Sequence, residues 1–238
     1  MNLLLLHPED RLDNGEFHVN DRRADHVRRV LKREAGEEVR AGLLDGPLGR
    51  ARILEDAHGG LRLAFRAERK APPPLPLTLV LALPRPAMLH RALQDAASLG
   101  IKRIVLVHSA RVEKSYWDSR KAGTSAMRNS LILGLEQAVD TRLPEVLCRR
   151  RLRPFVEEEL PVLAGDSLRI LAHPGDHPPM PADLEQPVTL ALGPEGGWRN
   201  HELEMLREAG FECHHFGQRI LRVETALPAL VGRLMRLP

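Results

Sequence analysis

The rhythm of hydrophobic and polar positions changes once along the chain. Up to residue 71, short apolar segments are cut by turn signals. A strand is expected from Asn2 to Leu6 and a helical stretch from Asp25 to Lys32. Strand-like segments run from Glu38 to Leu44, Gly49 to Leu54 and Leu61 to Arg66, separated by Asp45-Gly46-Pro47 and His58-Gly59-Gly60. This pattern predicts a small β-barrel-like module. Pro72, Pro73, Pro74 and Pro76 then stiffen the chain into an extended connector, which divides it into residues 1–71 and 72–238.

Beyond the connector, strands and helices alternate. Leu77 to Leu83 is an unbroken apolar run, as expected of a strand covered on both faces. Met88, Leu89, Ala92, Leu93, Ala96 and Leu99 follow at helical spacing, Gly100 can end that helix, and Arg103 to Val107 resumes as a strand. A helix over Thr124 to Ala138, strands at Leu168–Ala172, Val188–Leu192 and Glu212–Phe216, and a helix from His201 to Ala209 complete an α/β domain with a mostly parallel sheet. Leu227, Leu230, Val231 and Leu234 form an apolar stripe on a terminal helix, which suits either core packing or a dimer seam. Thr225 is placed to cap that helix, with Pro228 in its first turn.

Composition narrows the classes. The 238 residues are 43% hydrophobic and 28% charged, as in a soluble globular chain, so disorder and collagen-like repeats are excluded. No apolar run approaches the roughly 20 residues that span a bilayer, and the first residues lack an export signal, so a cytoplasmic location without membrane contact is expected. Cys148 and Cys213 are expected to be reduced core residues rather than a disulfide. Of the 35 basic residues only five are lysine, an arginine excess that suits phosphate recognition or reflects a GC-rich genome. Aromatic residues at 3% argue against a sheet that stacks several bases.

Two segments stand out as candidate chemistry. Val188–Leu192 runs into Gly193-Pro194-Glu195-Gly196-Gly197-Trp198, a strand-end loop where missing side chains allow backbone amides close to a ligand. It matches neither a Walker loop nor G-x-G-x-x-G, and a plain glycine-rich turn fits the loop equally well. Phe216-Gly217-Gln218-Arg219-Ile220-Leu221-Arg222-Val223-Glu224-Thr225-Ala226 follows the last predicted strand. Two such loops together point to a site more strongly than either alone. Cys213-His214-His215 lacks a second ligand pair, so no metal is expected. Pro174 and Gly175 prevent a helix from aligning His173 with His177, and Ser109 and Ser115 lack a hydrolase context.

Taken together, Gly193–Gly197 and Arg219–Ala226 resemble the RsmE family, SPOUT-class methyltransferases that methylate N3 of a uridine in small-subunit (16S) ribosomal RNA. The similarity extends to His26–Leu31, which resembles the family's N-terminal PUA-like domain, and to Leu135-Glu136-Gln137 with Arg142–Glu145, which resembles its middle motif. The resemblance implies an S-adenosylmethionine site built from a C-terminal trefoil knot, and a homodimer acting on ribosomal RNA or the small subunit. The cofactor residues it implies are Leu192, Gly193, Pro194, Glu195, Gly196 and Gly197 from one loop, and Ile220, Leu221, Arg222, Glu224, Thr225 and Ala226 from the other. The loop ending at Leu171-Ala172-His173-Pro174 would form a third wall, with Leu171 and His173 as cofactor residues. Asp95 and Ser98 depart from the Lys and Glu that the family often carries there, and Trp198 and the Asp176 to Pro181 stretch look individual to this chain.

Methylation of uridine N3 requires loss of a weakly acidic proton and stabilisation of negative charge on the base, for which a positioned cation serves. Arg222 is the first candidate and Arg219 the second, with Glu224 as proton acceptor or as the group that orients Arg222. For RNA, Arg22, Arg23, Arg28, Arg29, Lys32 and Arg33 crowd one short stretch, on a helix whose Val27, Val30 and Leu31 are expected to face inward. Arg149-Arg150-Arg151-Leu152-Arg153 reads as a solvated face or an RNA-backbone contact.

Overall fold

The computed structural model describes residues 1–57 and 59–236. Its contacts divide the chain into two compact units, residues 1–73 with 132–143, and residues 74–131 with 144–238. His58, in one of the expected turns, lies outside the described residues.

In the first unit a five-stranded mixed sheet is formed by β1 (Leu4–Leu6), β2 (Phe17–Val19), β3 (Glu38–Leu43), β4 (Leu48–Ala57) and β5 (Gly60–Arg69), in the order β1-β3-β4-β5-β2. β1 runs parallel to β3 and every other neighbour is antiparallel. Leu4, Leu6, Phe17, Val19, Ile53 and Leu63 are buried on its inner face. Asp21 caps the short helix α1 (Arg22–His26) by accepting from the Arg23 amide at 2.8 Å.

Arg23 is not the surface cation expected from its neighbours. It is only 3% exposed and donates to Asp10 at 2.6 and 2.8 Å, to Asp21 at 3.0 Å and to the Leu5 carbonyl at 2.6 Å. Several charge-assisted bonds satisfy the guanidinium, as a buried charge requires. Three further arginines of the cluster are neutralised at the surface: Arg22 by Glu136, Arg28 by Asp56 and Arg33 by Glu37. Arg29 is 80% exposed, with Asp25 at 4.0 Å, and Lys32 is exposed. Val27 is buried, but Val30 and Leu31 are exposed, contrary to expectation. The helix passes into a wider π turn at Val27–Leu31 that ends at Lys32 with φ +51°, so the 3.6-residue period stops before Val30.

In the second unit six strands form an entirely parallel sheet: β6 (Leu75–Ala82), β7 (Ile101–Val107), β8 (Glu145–Arg149), β9 (Leu168–Ala172), β10 (Val188–Leu192) and β11 (Glu212–His214), in the order β11-β9-β10-β6-β7-β8. β10 is buried along its whole length, which explains its continuous apolar sequence. Helix α2 (Pro86–Ser98) buries Leu89, Ala92, Leu93 and Ala96, and Gly100 follows it with φ +83°. α3 (Thr124–Ala138) starts in this unit and its last turns belong to the first. Helical turns at α4 (Leu152–Pro154) and α5 (Leu160–Ala164), joined by a π turn, then lead into β9.

After α6 (Asn200–Glu208) and β11, the chain ends in α7 (Val223–Leu234), which packs on α2. Its stripe is core: Leu227, Leu230, Val231 and Leu234 are each at most 2% exposed, so this stripe provides no dimer seam. The helix starts two residues before Thr225, with Arg222 at the cap position, which puts Pro228 in its second turn instead of its first. Cys213 is buried and free as expected, whereas Cys148 is exposed on the edge strand β8. Among the described residues no helix is long and apolar enough to cross a membrane.

Candidate functional site

The carboxyl ends of β9, β10 and β11 open onto a partly open cavity, where an open α/β sheet binds its ligands. Three segments wall it. β9 supplies Ala172, His173 and Pro174, and β10 supplies Leu192, Gly193, Pro194, Glu195, Gly197 and Trp198. The third wall is the stretch after β11 and the start of α7, including Phe216, Arg219, Ile220, Leu221 and Ala226.

The glycine loop is shaped by particular contacts. Gly197 takes φ +72° and its amide donates to the Pro194 carbonyl at 2.8 Å, closing a turn that favours glycine. A Cβ on Gly193 would sit 2.9 Å from Nε1 and 3.1 Å from Cδ1 of Trp198, whose indole is only 3% exposed. Glu195 accepts from the Arg85 amide at 3.1 Å, and the Gly196 carbonyl accepts from Nη1 of Arg111. The loop leads into α6 through Glu202, a buried carboxylate that accepts from the amides of Arg199 at 2.9 Å and Ala110 at 2.7 Å.

The crossing from β9 to β10 lies against the end of the chain. The His173 amide donates to the His214 carbonyl, Met180 to His215, and Leu184 to Leu234. Burial first, then the charges of His177, Arg207 and Arg111, hold the His173 imidazole below the ordinary histidine range, so it is neutral at pH 7. Two buried ring nitrogens in the cavity wall, Nδ1 of His173 and Nε1 of Trp198, have no partner among the described residues. A buried polar atom without a partner is costly, and a polar ligand would satisfy both.

Of the residues expected at the site, His173, Leu192, Gly193, Pro194, Glu195, Gly197, Ile220, Leu221, Ala226 and Arg219 line the cavity. Leu171 does not: it is fully buried one residue below the wall. Gly196 turns away towards the Arg111 side chain. Arg222, Glu224 and Thr225 are outside the lining because α7 turns Val223, Ala226 and Leu230 to the cavity instead. Arg222 and Thr225 are exposed, and Glu224 approaches Asp95, whose carboxyl is raised by burial and then by the Glu224 charge. Arg222 and Arg219 have no ion-pair partner among the described residues. Trp198, His214, Phe216 and Leu230 also line the cavity. Each was visible in sequence in another connection: Trp198 beside the glycine loop, His214 in a cluster read as no metal site, Phe216 at the start of the second loop and Leu230 in the apolar stripe. Among the described residues no group of three histidines, cysteines or carboxylates could hold a metal, and His214 instead faces the Pro179 carbonyl.

This architecture recurs in known proteins. Residues 71–235 match the RNA methyltransferase domain family. Ribosomal RNA small subunit methyltransferase E of Treponema pallidum is 34% identical over 95% of this chain and 87% of its own length. The chain belongs to the ribosomal RNA small subunit methyltransferase E family. The fold is shared with a ribosomal RNA small subunit methyltransferase E from Neisseria gonorrhoeae, solved bound to S-adenosylmethionine, at a TM-score of 0.76 and 21% identity over 96% of this chain and 95% of the other. A protein from Legionella pneumophila, solved with the same cofactor, gives a TM-score of 0.75 and 24% identity over 97% of this chain and 95% of the other. Membership of the family agrees with what the glycine loop and the Arg219–Ala226 segment imply when read together.

Proposed function

We propose that this chain methylates N3 of a uridine in small-subunit (16S) ribosomal RNA, using S-adenosylmethionine bound in the cavity at the ends of β9, β10 and β11. The observation that carries the reading is that both sequence loops wall one cavity that also holds two buried, unpartnered ring nitrogens. The cavity fits the cofactor in kind. Leu192, Leu221 and Leu230 offer apolar surface, the turn at Gly193–Gly197 offers backbone groups, and Trp198 and His173 offer unsatisfied nitrogens for polar atoms.

When bound, S-adenosylmethionine supplies a methyl group already activated on a sulfonium sulfur. The chain's own residues then have to hold the acceptor in line, exclude water and stabilise charge on the base. A neutral His173 suits a cationic ligand, since an imidazolium there would repel it. Arg222, exposed and unpaired at the start of α7, stabilises the negative charge that develops as N3 loses its proton, and Arg219 at the cavity wall is the second cation.

The same reading includes a PUA-like role for the first unit in holding RNA, supported by its mixed sheet and by exposed Arg29 and Lys32. It includes a C-terminal knot, supported by the crossing segment bonded to both His215 and Leu234. It also includes a homodimer, supported by the exposed apolar side chains of Phe216 and Ile220 at the cavity mouth, and a cytoplasmic location, where ribosomal RNA is found. Calorimetry with S-adenosylmethionine tests the site. One cofactor per chain is expected, and absence of binding to folded protein would refute the reading.

A further inference from the structure

In the Arg22–Arg33 cluster of the first unit, Arg22, Arg23, Arg28 and Arg33 are paired with carboxylates, so that stretch presents little free charge to a polyanion. A different surface, in the second unit, carries charge without partners. It is built from the segment after β7 and the turn after β8, which adjoin because Val107 and Arg149 are register partners in the parallel sheet. Lys114, Arg120, Lys121 and Arg151 are exposed there, and none has a carboxylate partner among the described residues.

The neighbouring acids are already engaged. Glu113 accepts from the Tyr116 hydroxyl at 3.0 Å and Asp118 lies 3.4 Å from Arg150. Arg149 and Arg153, which attract attention in the sequence, are neutralised by Glu159 and Glu157. Arg150 lies 5.5 Å over the Trp117 ring, which steadies its guanidinium while leaving it 64% exposed. This basic strip reaches the outer side of the glycine loop that walls the cavity, because Arg111 in the same segment donates to the Gly196 carbonyl.

We infer that the strip formed by Lys114, Arg120, Lys121 and Arg151 holds the phosphate backbone of the RNA that enters the cavity. The inference rests on the proposed RNA substrate and specifies where that RNA is held. A cavity that takes one base gains little affinity from it, so phosphate contacts beside the cavity both bind and aim the strand. Cations without carboxylate partners are the ones that can exchange counterions for phosphate.

The test uses the full-length protein, a fluorescein-labelled 20-nucleotide single-stranded RNA and small ribosomal subunits that lack the modification. In R120Q/K121Q/R151Q the slope of log affinity against log salt should fall by about 2, from roughly 0.7 per lost single-strand contact. Affinity for S-adenosylmethionine should be unchanged, and KM for the subunit should rise about tenfold or more with kcat nearly kept. R120K/R151K should retain the wild-type slope, because charge and not shape is at work. An unchanged slope and KM in the folded triple variant would overturn the inference. If the wild type shows the steep slope and the triple variant the shallow one, yet neither transfers a methyl group, the surface stands and the activity reading fails.

Discussion

Gly193→Ala is the sharpest perturbation of the glycine loop. The backbone there is not left-handed, so alanine carries no conformational penalty and any effect comes from space alone. The new methyl would lie 2.9 Å from Nε1 and 3.1 Å from Cδ1 of an indole that is 97% buried, so loop or ring has to move. Overpacking of this kind costs about 1–3 kcal/mol. If the whole cost falls on the ligand-competent loop, S-adenosylmethionine affinity drops about 5- to 150-fold. Trp198→Ala removes the ring that clashes, so Gly193→Ala should cost far less in that background, with a coupling of about 1 kcal/mol or more. Gly196→Ala is the control: its Cβ meets only the flexible Arg111 side chain, at 3.1 Å from Cδ and 3.5 Å from Cβ, and should change affinity less than about threefold. Titration calorimetry on the four proteins of the cycle and the control measures all of this. Equal losses for Gly193→Ala with and without the indole would refute the argument, as would a larger loss at Gly196.

Arg222→Ala should leave cofactor affinity near wild type and slow methyl transfer on the order of 100-fold, the scale for one charge-stabilising donor; parallel losses in single-turnover rate and calorimetric affinity would make it a binding residue. Asp10→Ala leaves the buried Arg23 short of a carboxylate and should destabilise the first unit by about 3–5 kcal/mol, read by denaturant unfolding; a change below about 1 kcal/mol would show that the pair is not buried in solution. His173 is depressed in the fold, so the unfolded chain takes up its proton first as pH falls. Stability from this group is therefore complete above about pH 6.5 and is lost as pH falls below it through the folded value. The melting temperature of His173→Gln should accordingly fall less than that of wild type between pH 7.5 and 5, and parallel curves would contradict the assignment.

Buried secondary structure in the second unit was legible because it carries long apolar runs or clean helical spacing: α3, β9 and β10 begin and end where the pattern puts them. The elements missed are those with little to bury. β2 is three residues long, and β8 is an edge strand whose Glu145 and Cys148 are exposed, so neither shows a continuous apolar run. Nor does sequence spacing reveal that residues 132–143 join the first unit, which depends on partners such as the Arg22–Glu136 ion pair 114 positions apart. At the site, motif residues that form the walls could be read from the chain, whereas their direction could not. Gly196 and Glu224 belong to the right loops and lie outside the lining, Gly196 against Arg111 and Glu224 on a helix that turns Val223, Ala226 and Leu230 to the cavity instead. The same loss of phase, at a π turn, put Val30 and Leu31 outside and left the arginine cluster looking more available than its ion pairs allow.

The central claim is tested most directly by incubating the purified protein with methyl-labelled S-adenosylmethionine and small ribosomal subunits from cells lacking this gene, then mapping modified nucleotides by mass spectrometry. The account predicts label in a single uridine of the small-subunit RNA, on N3, and none after Arg222→Ala at early times. Label on another base or on another atom of uracil, or no transfer from folded protein that binds the cofactor, would contradict it.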